Sequence, residues 1–233
     1  MAKSVLVRIL VTDDAATRDR VIRATNRQTS VPAASLRATD EIQRSIEAFF
    51  LAEGWFYDRR KNYYRNMGKN PDRIIGIPLL AQAVMAVGLS EPDNSRARPS
   101  SLLKRDDDYR KIFSSKVALE IYLWAARAQK EVDSFLLSEE AATTAPERTN
   151  LRFHLAMLST AKILGGKVHA PAQLTEIATE GTSISGADLP ACLAELREAF
   201  AAFAAESGDS TDKIAKGPEF VDFLLDRAFP VGS

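Results

Sequence analysis

Few residues in this chain are of a type that does chemistry at neutral pH. There are two histidines, His154 and His169, and one cysteine, Cys192. The histidines fall on or near different predicted elements, with no Cys or carboxylate at metal-ligand spacing, so the sequence assigns no metal site. His154, between Phe153 and Leu155, reads as a packed helix residue, and Cys192 at the start of an Ala-rich helix as a buried, inert thiol. Gly165-Gly166-Lys167 lacks the spaced glycine and the Ser/Thr of a phosphate loop, and is better explained as a helix end. Three consecutive carboxylates, Asp106-Asp107-Asp108, splay around a helix axis and cannot converge on one ion; they suit the positive end of a helix. Metal-dependent nucleases pair an acid-x-Lys element with an upstream acid to hold Mg²⁺ and orient water. Asp58-Arg59-Arg60-Lys61 has Arg60 where that pattern needs lysine. No catalytic residue and no cofactor is therefore assigned.

Polar residues of fixed hydrogen-bond geometry gather in three places: Thr25-Asn26-Arg27-Gln28, Arg37 through Asp40 to Gln43, and Gly54-Trp55-Phe56-Tyr57-Asp58-Arg59-Arg60-Lys61. Two readings fit them. Thr25, Asn26, Gln28, Arg37, Asp40 and Gln43 can staple neighbouring loops, since such side chains bond nearby backbone readily. The aromatic and basic cluster can instead bind nucleic acid, with Trp55 or Tyr57 stacking on bases and Arg59, Arg60, Lys61, Arg65 and Lys69 contacting phosphates. Tyr63 and Tyr64 stand in the same stretch. Period-two alternation turns Phe56 one way and Trp55 and Tyr57 the other, without saying which way is inward.

The elements that must position these residues are mostly helices. Asp14 can cap a helix containing Val21 and Ile22. Asp40 and Gln43 have capping-box spacing ahead of Ile42, Ile46, Phe49 and Phe50, which share one face; Gly54 closes that helix. Pro78 opens a third helix, Ser115 caps a long fourth one, and Pro146, Pro171, Pro190 and Pro218 open the rest. Residues 91–101, with Pro92, Asn94 and Pro99, read as a loop. The β content is small: a buried strand near 5–11 and a second near 55–57. The predicted fold class is mainly α, a helical domain with a small β element.

The three polar segments, in this order, resemble the abortive-infection phage-resistance (AIPR) family. Its members look like Thr-Asn-x-Gln, then Arg-x-x-Asp-x-Ile-Gln, then an aromatic turn into an acid-Arg-Lys-Arg run. Thr25-Asn26-Arg27-Gln28 matches the first motif, Arg37-Ala38-Thr39-Asp40-Glu41-Ile42-Gln43 the second, and Gly54 to Lys61 approximates the third. Similarity continues from Ile75 to Met85 and ends near Phe113. The resemblance implies a bacterial phage-defence protein. Family members are longer, and in many the N-terminal portion looks like a restriction-endonuclease-type nuclease. The resemblance covers only the portion after it, so the expected role is non-catalytic: binding nucleic acid, or supporting a nuclease-like module encoded elsewhere. The rivals are a stand-alone metal-dependent nuclease using Asp40 and Asp58, and a structural interaction module.

Composition bounds the rest. Hydrophobic residues at 45 % and charged residues at 27 % are ordinary for a globular chain. No apolar run reaches the roughly 18 residues that span a bilayer, so no membrane association is expected. The lone cysteine fits a reducing cytoplasm. A net charge of zero hides an asymmetry: residues 1–130 hold 23 basic and 15 acidic side chains, and residues 131–233 hold 8 and 16. The basic half could bind a polyanion, or the two halves could attract each other. On this basis two domains are expected, a basic AIPR-like region at 1–115 and an acidic helical domain at 116–233. An apolar strand at 5–11 with an open edge also predicts self-association.

Overall fold

Local signals place most of the helices, and a few long-range contacts decide the remainder. The computed structural model describes residues 14, 17, 32–97 and 101–230. The chain forms two units, Met1–Pro32 and Ala33–Ser233. In the first, Asp14 accepts a hydrogen bond from the Thr17 backbone N–H (3.1 Å), the N-cap interaction its sequence predicts. The strand expected at 5–11, the pairing proposed for it, and Thr25, Asn26 and Gln28 lie outside the described residues.

The second unit is mainly α, with thirteen helices among the described residues. They are α1 (Ala33–Arg37), α2 (Glu41–Ala52), α3 (Tyr63–Asn66), α4 (Ile77–Leu89), α5 (Pro92–Ala97), α6 (Ser101–Lys104), α7 (Asp106–Ile112), α8 (Leu119–Leu137), α9 (Ala145–Leu164), α10 (Thr175–Glu180), α11 (Leu189–Ser207), α12 (Thr211–Ile214) and α13 (Pro218–Ala228). Among the described residues two strands, β1 (Phe56–Asp58) and β2 (Ile74–Gly76), form a small parallel sheet with Tyr57 opposite Ile75. Parallel strands need a crossover connection, and residues 59–73 supply it, carrying α3. Lys130 on α8 ties that connection down by donating to the Pro71 carbonyl (2.9 Å).

The core forms around α4, whose Leu80, Ala81, Ala83, Val84 and Val87 are buried on nearly every side. Helices α8 and α9 pack against it and bury Ile121, Trp124, Ala128, Leu151, Leu155 and Leu158. Proline entry and glycine exit hold as expected: Pro146 sits in the first turn of α9, and Gly165 closes it in the left-handed conformation (φ 75°). Thr144 and Glu147 form a reciprocal capping box on that helix.

Four expectations change. Residues 92–97 are helical, because Ser95 and Gln82 exchange hydrogen bonds with each other's backbone carbonyls (2.9 and 2.8 Å) and hold the segment against α4. The long helix starts at Leu119, not after Ser115; Tyr122 accepts from the Ser114 N–H (3.0 Å) and donates to the Ile112 carbonyl (3.1 Å), keeping the preceding turn non-helical. Asp40 occupies the N-cap of α2 but makes no side-chain cap bond, and Gln43 turns into the core. Among the described residues β1 pairs with β2, a strand the sequence did not announce. Packing does not stop at residue 116: Phe113 stacks on Tyr122 (5.8 Å between ring centres) within one unit.

Candidate functional site

The family-like segments that fall in the described residues divide into a buried staple and an exposed basic turn. The staple begins on α2, where Gln43, Ile46 and Phe50 follow helical spacing and are all buried. Alternation in β1 turns Tyr57 inward, fully buried, between half-buried Phe56 and Asp58. The Tyr57 hydroxyl donates to the Gln43 side-chain carbonyl, and the Gln43 amide donates to the Tyr109 hydroxyl of α7 (3.0 Å). Both ends of one amide are thus held by two tyrosines. Burial pushes the hydroxyls of Tyr57 and Tyr109 far above the usual tyrosine range, so both remain neutral, Tyr57 donating to Gln43 and Tyr109 accepting from it.

Arg37 extends the staple. Its Nε donates to the Leu103 carbonyl (3.2 Å), its Nη2 bonds Asp106, and its guanidinium lies 4.1 Å from the centre of the Tyr109 ring. The bond to Asp106 raises the Arg37 pKa and lowers that of Asp106. Asp40 stands 3.9 Å from the same guanidinium. Asp106 therefore opens α7, as helix-end charge predicts, and also receives a cation from α1.

Arg59 belongs to this inner set. Its Nε donates to Glu47 and its Nη1 to the Ala38 carbonyl, each at 2.6 Å. Glu47 also accepts from the Tyr64 hydroxyl (3.1 Å), whose pKa burial and then Glu47 push up to about 12. Asp58 accepts from the Tyr64 backbone N–H (2.8 Å) and so fixes the start of α3.

The next residues face outward. Arg60, Lys61, Arg65 and Lys69 are exposed, and none forms an ion pair with an acidic side chain among the described residues. The Lys69 ammonium lies 5.2 Å from the Phe56 ring centre. Tyr63, 47 % exposed, sits edge-on to Tyr64 with ring centres 5.0 Å apart. With Arg60 and Leu51 it lines a recess of about 290 Å³. Between the basic and acidic halves of the chain Arg96 pairs with Asp212 (2.6 Å), but among the described residues the basic turn has no such partner.

The assignments made from sequence therefore separate. Arg37 and Gln43 staple, though to α6 and α7 rather than to neighbouring loops. Tyr57 is a correction: with no exposed surface it cannot stack on a base. Arg59 is likewise committed to Glu47, and Trp55 packs half-buried against the core with Arg127 over its ring at 5.9 Å. Arg60, Lys61, Arg65 and Lys69 keep the exposure a phosphate contact requires. Tyr63 was visible in the sequence as an aromatic among cations, but its exposure depends on Tyr64 taking the inward position.

Cys192 and His154 are buried, as expected, and Cys192 donates to the Ala187 carbonyl (3.1 Å). Among the described residues no three His, Cys, Asp or Glu side chains gather as metal ligands would, and no helix is long and apolar enough to cross a membrane.

A mainly helical scaffold with an internal polar staple and a basic turn is the class that fold and site define. The chain belongs to the AIPR family of abortive infection phage resistance proteins: the family model described as AIPR protein matches residues 1–202. That match continues past the three motifs through α8 and α9 and into α11. It is a phage-defence protein by that membership. No curated protein and no solved structure matches the chain.

Proposed function

We propose that this chain serves phage defence as a non-catalytic, nucleic-acid-binding part that acts with a nuclease-like module in the cytoplasm. One observation carries this reading. Four neighbouring cations, Arg60, Lys61, Arg65 and Lys69, stay exposed and form no ion pair among the described residues, while Arg37 and the adjacent Arg59 are committed internally. Unpaired surface cations cost little when solvated and gain by displacing counterions from a polyanion. The nuclease alternative would require Asp40 and Asp58 to converge on a metal ion. Instead Asp58 is engaged by the Tyr64 N–H and Asp40 faces Arg37.

The test is binding of the purified chain to labelled nucleic acid across a salt series. Affinity should fall with a log–log slope of about −0.7 per phosphate contact on single strands or about −0.9 on duplex. Arg60→Ala/Lys61→Ala should flatten that slope by roughly two contacts. Salt-indifferent binding, or a double variant that binds like the parent, removes this surface from consideration.

A further inference from the structure

We infer that the basic turn takes single-stranded nucleic acid, with Tyr63 as its stacking platform; this rests on the nucleic-acid reading above and specifies its ligand. The first ground is what the turn lacks. Reading a duplex through the major groove takes a helix or a two-stranded ribbon that can enter it. Helix α3 has four residues, about 6 Å of axis at 1.5 Å per residue. The sheet beneath it is parallel, and its central Tyr57 and Ile75 are buried. Neither element can project into a groove.

The second ground is what the turn presents. Tyr63 keeps an exposed ring beside exposed cations, where an aromatic face gains nothing from water and much from a base. Its ring is also held in place. It leans on Tyr64, which Asp58 fixes through the backbone and Glu47 through the hydroxyl. At about 100° per residue, Tyr63 and Arg65 stand on opposite flanks of buried Tyr64. A strand crossing the turn would meet the Tyr63 ring on one flank and a cation on the other, and the recess beside the ring is also lined by Leu51, Arg60, Tyr64 and the Arg59–Glu47 pair, which neutralises the one carboxylate there. An unpaired base can enter that recess; a base stacked inside a duplex cannot leave its neighbours without an unstacking cost.

The experiment measures fluorescence anisotropy of the full chain with a labelled oligothymidylate, an oligouridylate of equal length, a mixed duplex and poly-glutamate, all at one low salt concentration. Both single strands should bind about tenfold or more tightly than the duplex. Tyr63→Ala should weaken single-strand binding by roughly 5- to 100-fold and leave duplex binding unchanged, whereas Tyr63→Phe should retain the parent's affinity. An unchanged melting temperature in Tyr63→Ala confirms that the fold is intact. Duplex binding as tight as single-strand binding, or single-strand binding indifferent to Tyr63→Ala, overturns the inference and leaves the parent reading standing. No binding to any nucleic acid, or Tyr63-dependent binding of poly-glutamate alone, overturns both.

Discussion

Two buried polar side chains in this protein meet opposite circumstances. Gln43, between α2, β1 and α7, has its carbonyl and its amide each bonded to a tyrosine hydroxyl. His154, between α9, α11 and α13, is equally buried, yet neither ring nitrogen has a hydrogen-bond partner of good geometry among the described residues. Its neighbours are Phe200 and Phe220, with ring centres 5.7 and 5.5 Å away. A buried group with directional partners fixes the relative placement of the elements that supply them. A buried group without them acts as a filler of roughly the right shape and forgoes its hydration. The staple region is therefore specified by geometry, and the C-terminal helices by apolar volume.

The strongest challenge to that contrast is removal of a staple ring. Tyr57→Ala should cost about 3–5 kcal/mol, as loss of a large core aromatic does, read as a lower urea midpoint. Tyr57→Phe, which keeps the ring and removes only the donor to Gln43, should recover most of that. Equal losses in the two variants would mean that the ring's volume contributes little.

A pH titration probes the other centre. Burial lowers the His154 pKa from 6.5 to about 4, with the nearby Asn150 carbonyl offsetting a small part. The unfolded chain therefore takes up a proton between those values that the folded chain refuses. Stability should be fully present above about pH 6.5 and fall by roughly 3 kcal/mol as pH drops toward 4. His154→Leu should lose that share of the slope while other acid-sensitive groups keep theirs. A variant whose pH profile overlays that of the parent would show that His154 is solvated or paired.

Leucine at each position sharpens the comparison. Gln43→Leu leaves the Tyr57 and Tyr109 hydroxyls buried without their shared partner and should cost about 1–3 kcal/mol. His154→Leu strands nothing and should stay within about 1.5 kcal/mol of the parent near neutral pH. Similar costs for the two would dissolve the distinction. The smallest expected effects lie at adjacent arginines. Arg59→Ala breaks the contacts to Glu47 and Ala38 and should cost about 1 kcal/mol. Arg60→Ala should change stability by less than about 0.5 kcal/mol while weakening nucleic-acid binding.

Much of the helical scaffold is legible in the sequence because its signals are local. Prolines at 146, 190 and 218 and glycines at 54 and 165 mark helix ends within a residue or two of where they fall. β2 is not legible: Ile74-Ile75-Gly76 is too short to show a period and runs straight into α4. The staple is half legible. Arg37 and Gln43 are recognisable as stapling residues, but their partners Leu103, Asp106 and Tyr109 lie more than 60 residues along the chain. The inward phase of β1 is ambiguous from alternation alone, and the Gln43 carbonyl awaiting a donor resolves it in favour of Tyr57. Arg59 and Arg60 look alike in sequence; only the location of Glu47, one helical turn beyond Gln43, separates them.

The parallel pairing of β1 and β2 has a mechanical consequence. The basic connection leaves β1 at its C-terminal end and enters β2 at its N-terminal end, and in a parallel pair those are opposite ends of the ladder. A pull on residues 59–73 therefore shears the two strands past each other, loading every rung at once, where an antiparallel hairpin would peel open one bond at a time. A taut strand of bound polymer dragging on this turn would meet a short but stiff anchorage, with Lys130 tethering the end of the connection next to β2 to the long helix behind it.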